Sequence, residues 1–186
     1  FEHLRAHFGL RPGSVVADVG CGTGHLAIPL AAGGASVIAI DPNADMLEEG
    51  RRDAIRLGVN VRWVAGVAER LREVVAEPVD LVTFGASLHW IDAPRALAEC
   101  DAIVRAGGGV AAVSRGPSIW AEGVPGWAKI VRDTIHEFLG ERRRAGGGTY
   151  APPEARYEDA LAASPFSRVT IRRFERIVTW IIDDLI

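Results

Sequence analysis

Apolar residues cluster in five short runs along the first two thirds of the chain: Val15–Val19, Ser36–Ile40, Val61–Ala65, Val79–Phe84 and Val110–Ser114. Each is rich in β-branched and small apolar residues and bounded by Gly, Pro, Asn or Asp, which is how buried strands read. Between the runs the apolar spacing becomes helical. Residues 2–9 place Leu4 and Phe8 on one face and stop at Gly9; His25–Ala32 forms a second helix, in which Pro29 removes one backbone donor. A third helix starts at Asn43 or Ala44 and runs to Leu57, closed by Gly58, and a loop with a short helix covers Gly66–Arg72. Asp92 is placed as an N-cap with Pro94 in the first turn of a helix carrying Leu97, Ile103 and Val104, stopped by Gly107–Gly109. Strand and helix thus alternate five times, which predicts an α/β fold whose mostly parallel sheet is covered by helices on both faces.

After residue 114 the pattern changes. An irregular Gly/Pro-rich connection over 115–125 carries Trp120. Trp127, Ile130, Val131, Thr134, Ile135, Phe138 and Leu139 then repeat at helical spacing, predicting an amphipathic helix over 126–143 whose apolar stripe packs on the body. Arg142–Arg144 and Gly146–Gly148 read as a charged helix end and a flexible joint, 153–163 as a short helix, and Val169–Trp180 as a strand bent near Glu175.

Length and composition narrow the classes. A chain of 186 residues fits one domain, and 48% hydrophobic with 24% charged residues is ordinary for a soluble protein. A net charge of −3 supplies no global attraction for nucleic acid or an anionic membrane. No apolar run approaches the ~18 residues of a membrane-spanning helix. Two cysteines, Cys21 and Cys100, make no disulfide framework, so the expected setting is the reducing cytoplasm. The five histidines are scattered and neither cysteine has a ligand-spaced partner, so no metal site is expected.

The candidate chemistry centres on residues 15–24, Val-Val-Ala-Asp-Val-Gly-Cys-Gly-Thr-Gly. A strand, a glycine turn and a helix N-terminus together form a nucleotide-binding corner. A dinucleotide fingerprint G-x-G-x-x-G would need a glycine where His25 stands; the spacing here is G-x-G-x-G, and the second strand delivers Asp41 at its end. The stretch resembles the first motif of class I S-adenosylmethionine-dependent methyltransferases. Ile38-Ala39-Ile40-Asp41 with Asp45-Met46-Leu47, Gly66-Val67-Ala68-Glu69-Arg70-Leu71, Val79–Phe84 and Val104–Gly109 are similar to later family segments in order and spacing, over residues 5–115. Leu88-His89-Trp90 with Asp92 looks more like the small-molecule branch (methyltransferase type 11, trans-aconitate methyltransferase-like) than the Asn/Asp-Pro-Pro-aromatic loop of enzymes acting on nucleic-acid bases.

The resemblance implies a Rossmann-like, doubly wound fold and S-adenosyl-L-methionine as cofactor, with S-adenosyl-L-homocysteine as product. Carried over position by position, Gly20, Cys21, Gly22 and Gly24 flank the methionine part, and Asp18 orients it. Asp41 takes the ribose hydroxyls, and Pro42 and Met46 line the adenine. Val67, Ala68 and Glu69 meet the purine edge, although Val67 stands where many relatives have an adenine-binding Asp. Gly85 and Ala86 close the fourth strand beside the cofactor. His89 is the candidate base, since an unperturbed imidazole titrates near neutrality, and His89, Trp90, Trp120 and Trp127 are candidate walls of the acceptor pocket. The implied partner is a small-molecule methyl acceptor carrying a carboxylate or hydroxyl, with no nucleic acid and no membrane, acting in a monomer or homodimer. A non-catalytic cofactor-binding domain is the alternative.

The expected organisation is a single domain over 1–186: a cofactor-binding core at 1–115, a substrate lid at 116–165 and the start of a C-terminal hairpin at 166–186. Such folds end on an antiparallel strand pair, and no residues remain for the closing strand. The expectation, given also the non-Met first residue, is a truncated chain.

Overall fold

The computed structural model describes residues 2–114, 126–140, 144–145, 148–149, 157–166 and 168–175. Helix α1 (Glu2–Phe8) precedes strand β1 (Val15–Val19), α2 (Ala27–Ala32), β2 (Ser36–Asp41), α3 (Ala44–Arg56), β3 (Arg62–Ala65), β4 (Val79–Gly85), α4 (Ala93–Ile103) and β5 (Val104–Val113). Two 3-10 turns, Ala68–Glu73 and Leu88–Trp90, follow β3 and β4. The five strands form one sheet in the order β3-β2-β1-β4-β5, every neighbouring pair parallel. This is the doubly wound arrangement expected, and β1 is where the strand order reverses. Crevices in such sheets open at that point, beyond the carboxyl ends of the strands.

Both faces are buried because adjacent residues on each strand face opposite sides. Ala17, Ile38, Val82 and Phe84 join Leu71, Leu88, Ala96, Cys100 and Ile103 in one apolar cluster. Val16, Val37, Ala39 and Leu81 join Leu30 and Leu47 in the other. This double burial is the physical reason that the strand sequences run apolar without alternation.

The local signals work as their chemistry requires. The Asn43 side chain accepts hydrogen bonds from the backbone of Asp45 (2.9 Å) and Met46 (3.2 Å), capping α3, and Asp92 accepts from Arg95 N at 3.2 Å, capping α4. Several boundaries differ from expectation. β5 begins at Val104, because Val79 pairs with Val104 and Leu81 with Gly109, leaving a bulge around Gly107. α2 begins at Ala27, two residues after the turn expected to start it. Helix α5 (Gly126–Leu139) stops short of 143 because Gly140, at φ +77°, gives it a left-handed end.

The later segments depart further. Trp127, Ile130, Val131 and Phe138 are exposed, Phe138 at 79%, so the expected packing of the α5 stripe is not found among the described residues. Where a charged helix end and a flexible joint were expected, the backbone forms a two-residue antiparallel pair, β6 (Arg144–Ala145) with β7 (Gly148–Thr149). The expected helix over 153–163 is observed as α6 (Tyr157–Ala162), its earlier positions lying outside the described residues. Residues 168–175 have no regular structure and, among the described residues, pair with no strand, which corrects the expected strand there; 176–186 lie outside the described residues.

Trp63, on β3, was not foreseen as an organising residue. A Cβ at Gly24 would lie 2.5 Å from the Trp63 ring, and one at Gly50 would lie 2.5 Å from two of its ring atoms and 3.0 Å from the Thr23 carbonyl. The indole thus fills the space that both glycines leave under the turn after β1. In an exposed helix, Gly→Ala gains about 1 kcal/mol. Gly50→Ala should instead cost about 1–3 kcal/mol, because overpacking against a rigid ring outweighs propensity. Urea unfolding checks the sign, and a gain in stability would refute this packing account.

Candidate active site

The candidate residues converge at the carboxyl end of the sheet because β1, β2 and β4 all end there. Gly20, at φ +65°, turns the chain sharply after Val19, a conformation costly for any residue with a Cβ. A second reason for glycine comes from the fold: a Cβ at Gly20 would lie 2.5 Å from Ser87 Cβ. Ser87 is itself buried, and its hydroxyl donates to the Val19 carbonyl at 2.6 Å, tying the end of β4 to the end of β1. Sequence reading missed Ser87, which carries no motif. Beside it Ala86 holds φ +54°, strained for a non-glycine, while its N–H donates to Val113 O at 2.8 Å.

Asp41 holds the turn from the other side. Its carboxylate accepts the Gly22 N–H at 2.9 Å through Oδ2 and the Asn43 N–H at 2.8 Å through Oδ1. A carboxylate has about four lone-pair sites, so both oxygens keep capacity for further donors. A Cβ at Gly22 would meet nothing within 4 Å, so this glycine faces open space.

Asp18 is almost fully buried. In the β1–β4 register it lies opposite Thr83, whose hydroxyl donates to Asp18 Oδ1 at 2.7 Å. Burial pushes its carboxyl up to about 6; the Thr83 hydroxyl and the Ala27 backbone oppose the rise, and nearby Asp41 adds to it. Two acidic groups therefore flank the glycine turn, in a position that suits a cation better than a pyrophosphate. Cys21 contributes its backbone to the turn while its side chain packs with Val16, Leu30 and Leu47; burial pushes its thiol up, as it does that of Cys100.

Most of the remaining candidates lie on the segments that follow β2, β3 and β4. Pro42 and Met46 are exposed at the β2–α3 junction, Val67 is exposed and Ala68 buried after β3. Glu69 accepts the Asp92 N–H at 2.9 Å, which joins the turn after β3 to the loop after β4. Gly85 packs against Leu26, where a Cβ would come within 2.8 Å. His89 and Trp90 follow, their rings 4.7 Å apart, and His89 Nδ1 lies 2.7 Å from the Tyr157 hydroxyl of α6. Tyr157 was not singled out in the sequence. Trp127 lies exposed on α5, and Trp120 lies outside the described residues. A surface groove of about 610 Å³, lined in part by Gly34, Val37, Leu57 and Arg62, sits at the opposite end of the sheet and contains none of these groups. Among the described residues no cluster of His, Cys, Asp or Glu could hold a metal ion, and no helix is long and apolar enough to cross a membrane.

Residues 16–108 match the family described as a methyltransferase domain. A ubiquinone biosynthesis O-methyltransferase of Erwinia tasmaniensis is 32% identical over 134 residues, covering 70% of this chain and 54% of that protein. One of the same description from Methylocella silvestris is 30% identical over 177 residues, covering 87% of this chain and 67% of its own length. A crystal structure described as an S-adenosylmethionine-dependent methyltransferase from Clostridium acetobutylicum superposes with a TM-score of 0.52 at 21% identity, over 57% of this chain and 44% of that one, and shows the fold alone. The chain belongs to the class I S-adenosylmethionine-dependent methyltransferase family. It spans about half the length of most of the curated relatives it matches.

The buried carboxyl gives a test of this corner. Because the folded-state value of Asp18 lies above its ordinary 3.8, the folded chain holds a proton that the unfolded chain has released. Stability from that proton is complete at low pH and is lost as pH rises through about 6. Asp18→Asn cannot titrate, so its stability relative to the native chain should improve by about 1.4 kcal/mol between about pH 5 and about pH 8. Thermal or urea unfolding at both pH values reads this; a gap that does not change with pH contradicts the account.

Proposed function

We infer that the chain binds S-adenosyl-L-methionine at the turn after β1 and transfers its methyl group to a small-molecule acceptor carrying a carboxylate or a hydroxyl. The observation that carries the reading is the pair of acidic side chains, Asp18 and Asp41, set on either side of an open glycine turn at the point where the strand order reverses. Their chemistry fits a cofactor bearing a sulfonium, an ammonium and a ribose diol, since carboxylates attract cations and accept from hydroxyls. The relatives described as O-methyltransferases favour oxygen as the acceptor atom.

When bound, S-adenosylmethionine supplies a methyl already activated by its positive sulfur. The chain's own residues then have three tasks: to hold, to align and to keep water out. Gly20 and Gly22 let the backbone come close, Asp18 orients the amino group, and Asp41 accepts the ribose hydroxyls while keeping its hold on the turn. Met46 and Ala68 border the adenine position, and His89 and Trp90 stand on the acceptor side. A non-catalytic cofactor-binding domain is the second reading, favoured by Val67, which offers no carboxylate to an adenine amine, and by the engagement of Glu69 with Asp92.

Isothermal calorimetry with S-adenosylmethionine should give a micromolar dissociation constant. Asp41→Ala should weaken it by about 30-fold or more, the scale of one hydrogen bond to a charged group together with a loosened turn. Unchanged affinity in Asp41→Ala would overturn the assignment. Transfer of labelled methyl to any member of a panel of organic acids and phenols excludes the non-catalytic reading.

A further inference from the structure

Asp18 stands two residues before Gly20 with 1% of its surface exposed, and Thr83, opposite it in the β1–β4 register, has none. Either position could carry an apolar residue, as Ala17, Val19, Val82 and Phe84 beside them do. A carboxyl placed there loses its hydration, which disfavours the charged form. The Thr83 hydroxyl donates to Oδ1 at 2.7 Å from β4, and the Ala27 backbone N–H donates from the start of α2. Asp41 acts on it through charge from the end of β2, and it shares the turn with the Cys21 thiol, which burial keeps protonated. The two donors favour the carboxylate; burial, the largest influence, and Asp41 oppose it.

We propose that Thr83 is a positioning residue for the methyl donor, its hydroxyl holding Asp18 as a carboxylate beneath the turn that takes the cofactor's cationic end. The inference rests on the reading of the β1 turn as the donor site, and it deepens that reading by coupling donor binding to a proton. A cation beside the carboxylate favours its charged form, and by linkage the charged form favours the cation. Since the carboxyl titrates at about 6, donor binding near that pH sends a proton from Asp18 to solvent. The Thr83 hydroxyl supports the same charged form, so it adds affinity without exposing any surface to the ligand.

Calorimetry of S-adenosylmethionine between about pH 5 and about pH 7.5 tests this. The native affinity should rise about tenfold across the range as the Asp18 proton leaves. Thr83→Val removes the donor and nearly keeps the shape; it should move the midpoint up by about one pH unit, the scale of a hydrogen bond to a charged group. It should then bind about fivefold more weakly than the native chain at about pH 6 and almost equally at about pH 7.5. Thr83→Ala, a second variant without the hydroxyl, should follow it, and Thr83→Ser should keep the native profile. The ligand's own ionisation is common to all the chains and cancels in these ratios. A packing defect would weaken binding equally at both pH values, and that result overturns the proposal. A native affinity independent of pH, or a midpoint that Thr83→Val leaves in place, overturns it as well. Binding absent from the native chain at every pH sinks the donor site itself, whereas binding with an unmoved midpoint sinks only the role of Thr83.

Discussion

The site depends on the close approach between the ends of β1 and β4. Gly20 and Ser87 meet with no room for a further carbon, and the Ser87 hydroxyl is bonded to the last carbonyl of β1. A parallel sheet whose order reverses at β1 leaves a gap between the segments leaving these two strands. Here the gap is closed at its base by Ser87 and left open above, where Gly22 faces empty space. The strained Ala86, bonded to Val113, carries the same brace on to β5.

Charge is arranged around that brace. Asp41 uses both carboxylate oxygens to hold backbone N–H groups, so the residue that reads as a ligand contact is also what shapes the turn. Asp18 is the costly member: burial disfavours its ionised form, and Thr83 and the Ala27 backbone return only part of that cost. A buried carboxyl kept beside an open turn is the pattern expected where stability yields to binding. The turn after β3 is joined to the α4 region by Glu69 on the Asp92 backbone and by Arg72 on Glu99, where Arg72 donates at 2.6 Å through its guanidinium and at 3.1 Å through its backbone N–H. These bonds set the turn after β3 relative to the loop that bears His89.

Most of the core fold was legible in the chain. Runs such as Val79–Phe84 are apolar throughout because both faces of the sheet are covered, and the caps at Asn43 and Asp92 act through local hydrogen bonds that sequence spacing specifies. The boundaries that differed did so for local reasons, a bulge at Gly107 and a left-handed Gly140. After β5 the two helices were legible, but their packing and the segment at 168–175 were not. The apolar stripe on α5 has the same period whether it packs or stays exposed, and residues 168–175 have strand-like composition but, among the described residues, pair with no strand.

The sequence by itself determined the α/β alternation, the glycine turn and the acidic end of β2, because each is set by chemistry within a few neighbouring residues. Only the tertiary structure decided what surrounds them. Ser87 against Gly20, Trp63 beneath Gly24 and Gly50, Thr83 on Asp18 and Tyr157 on His89 join residues from 13 to 68 positions apart. Such contacts leave no local pattern, because they exist only once the strands stand in register and bring their ends to one edge.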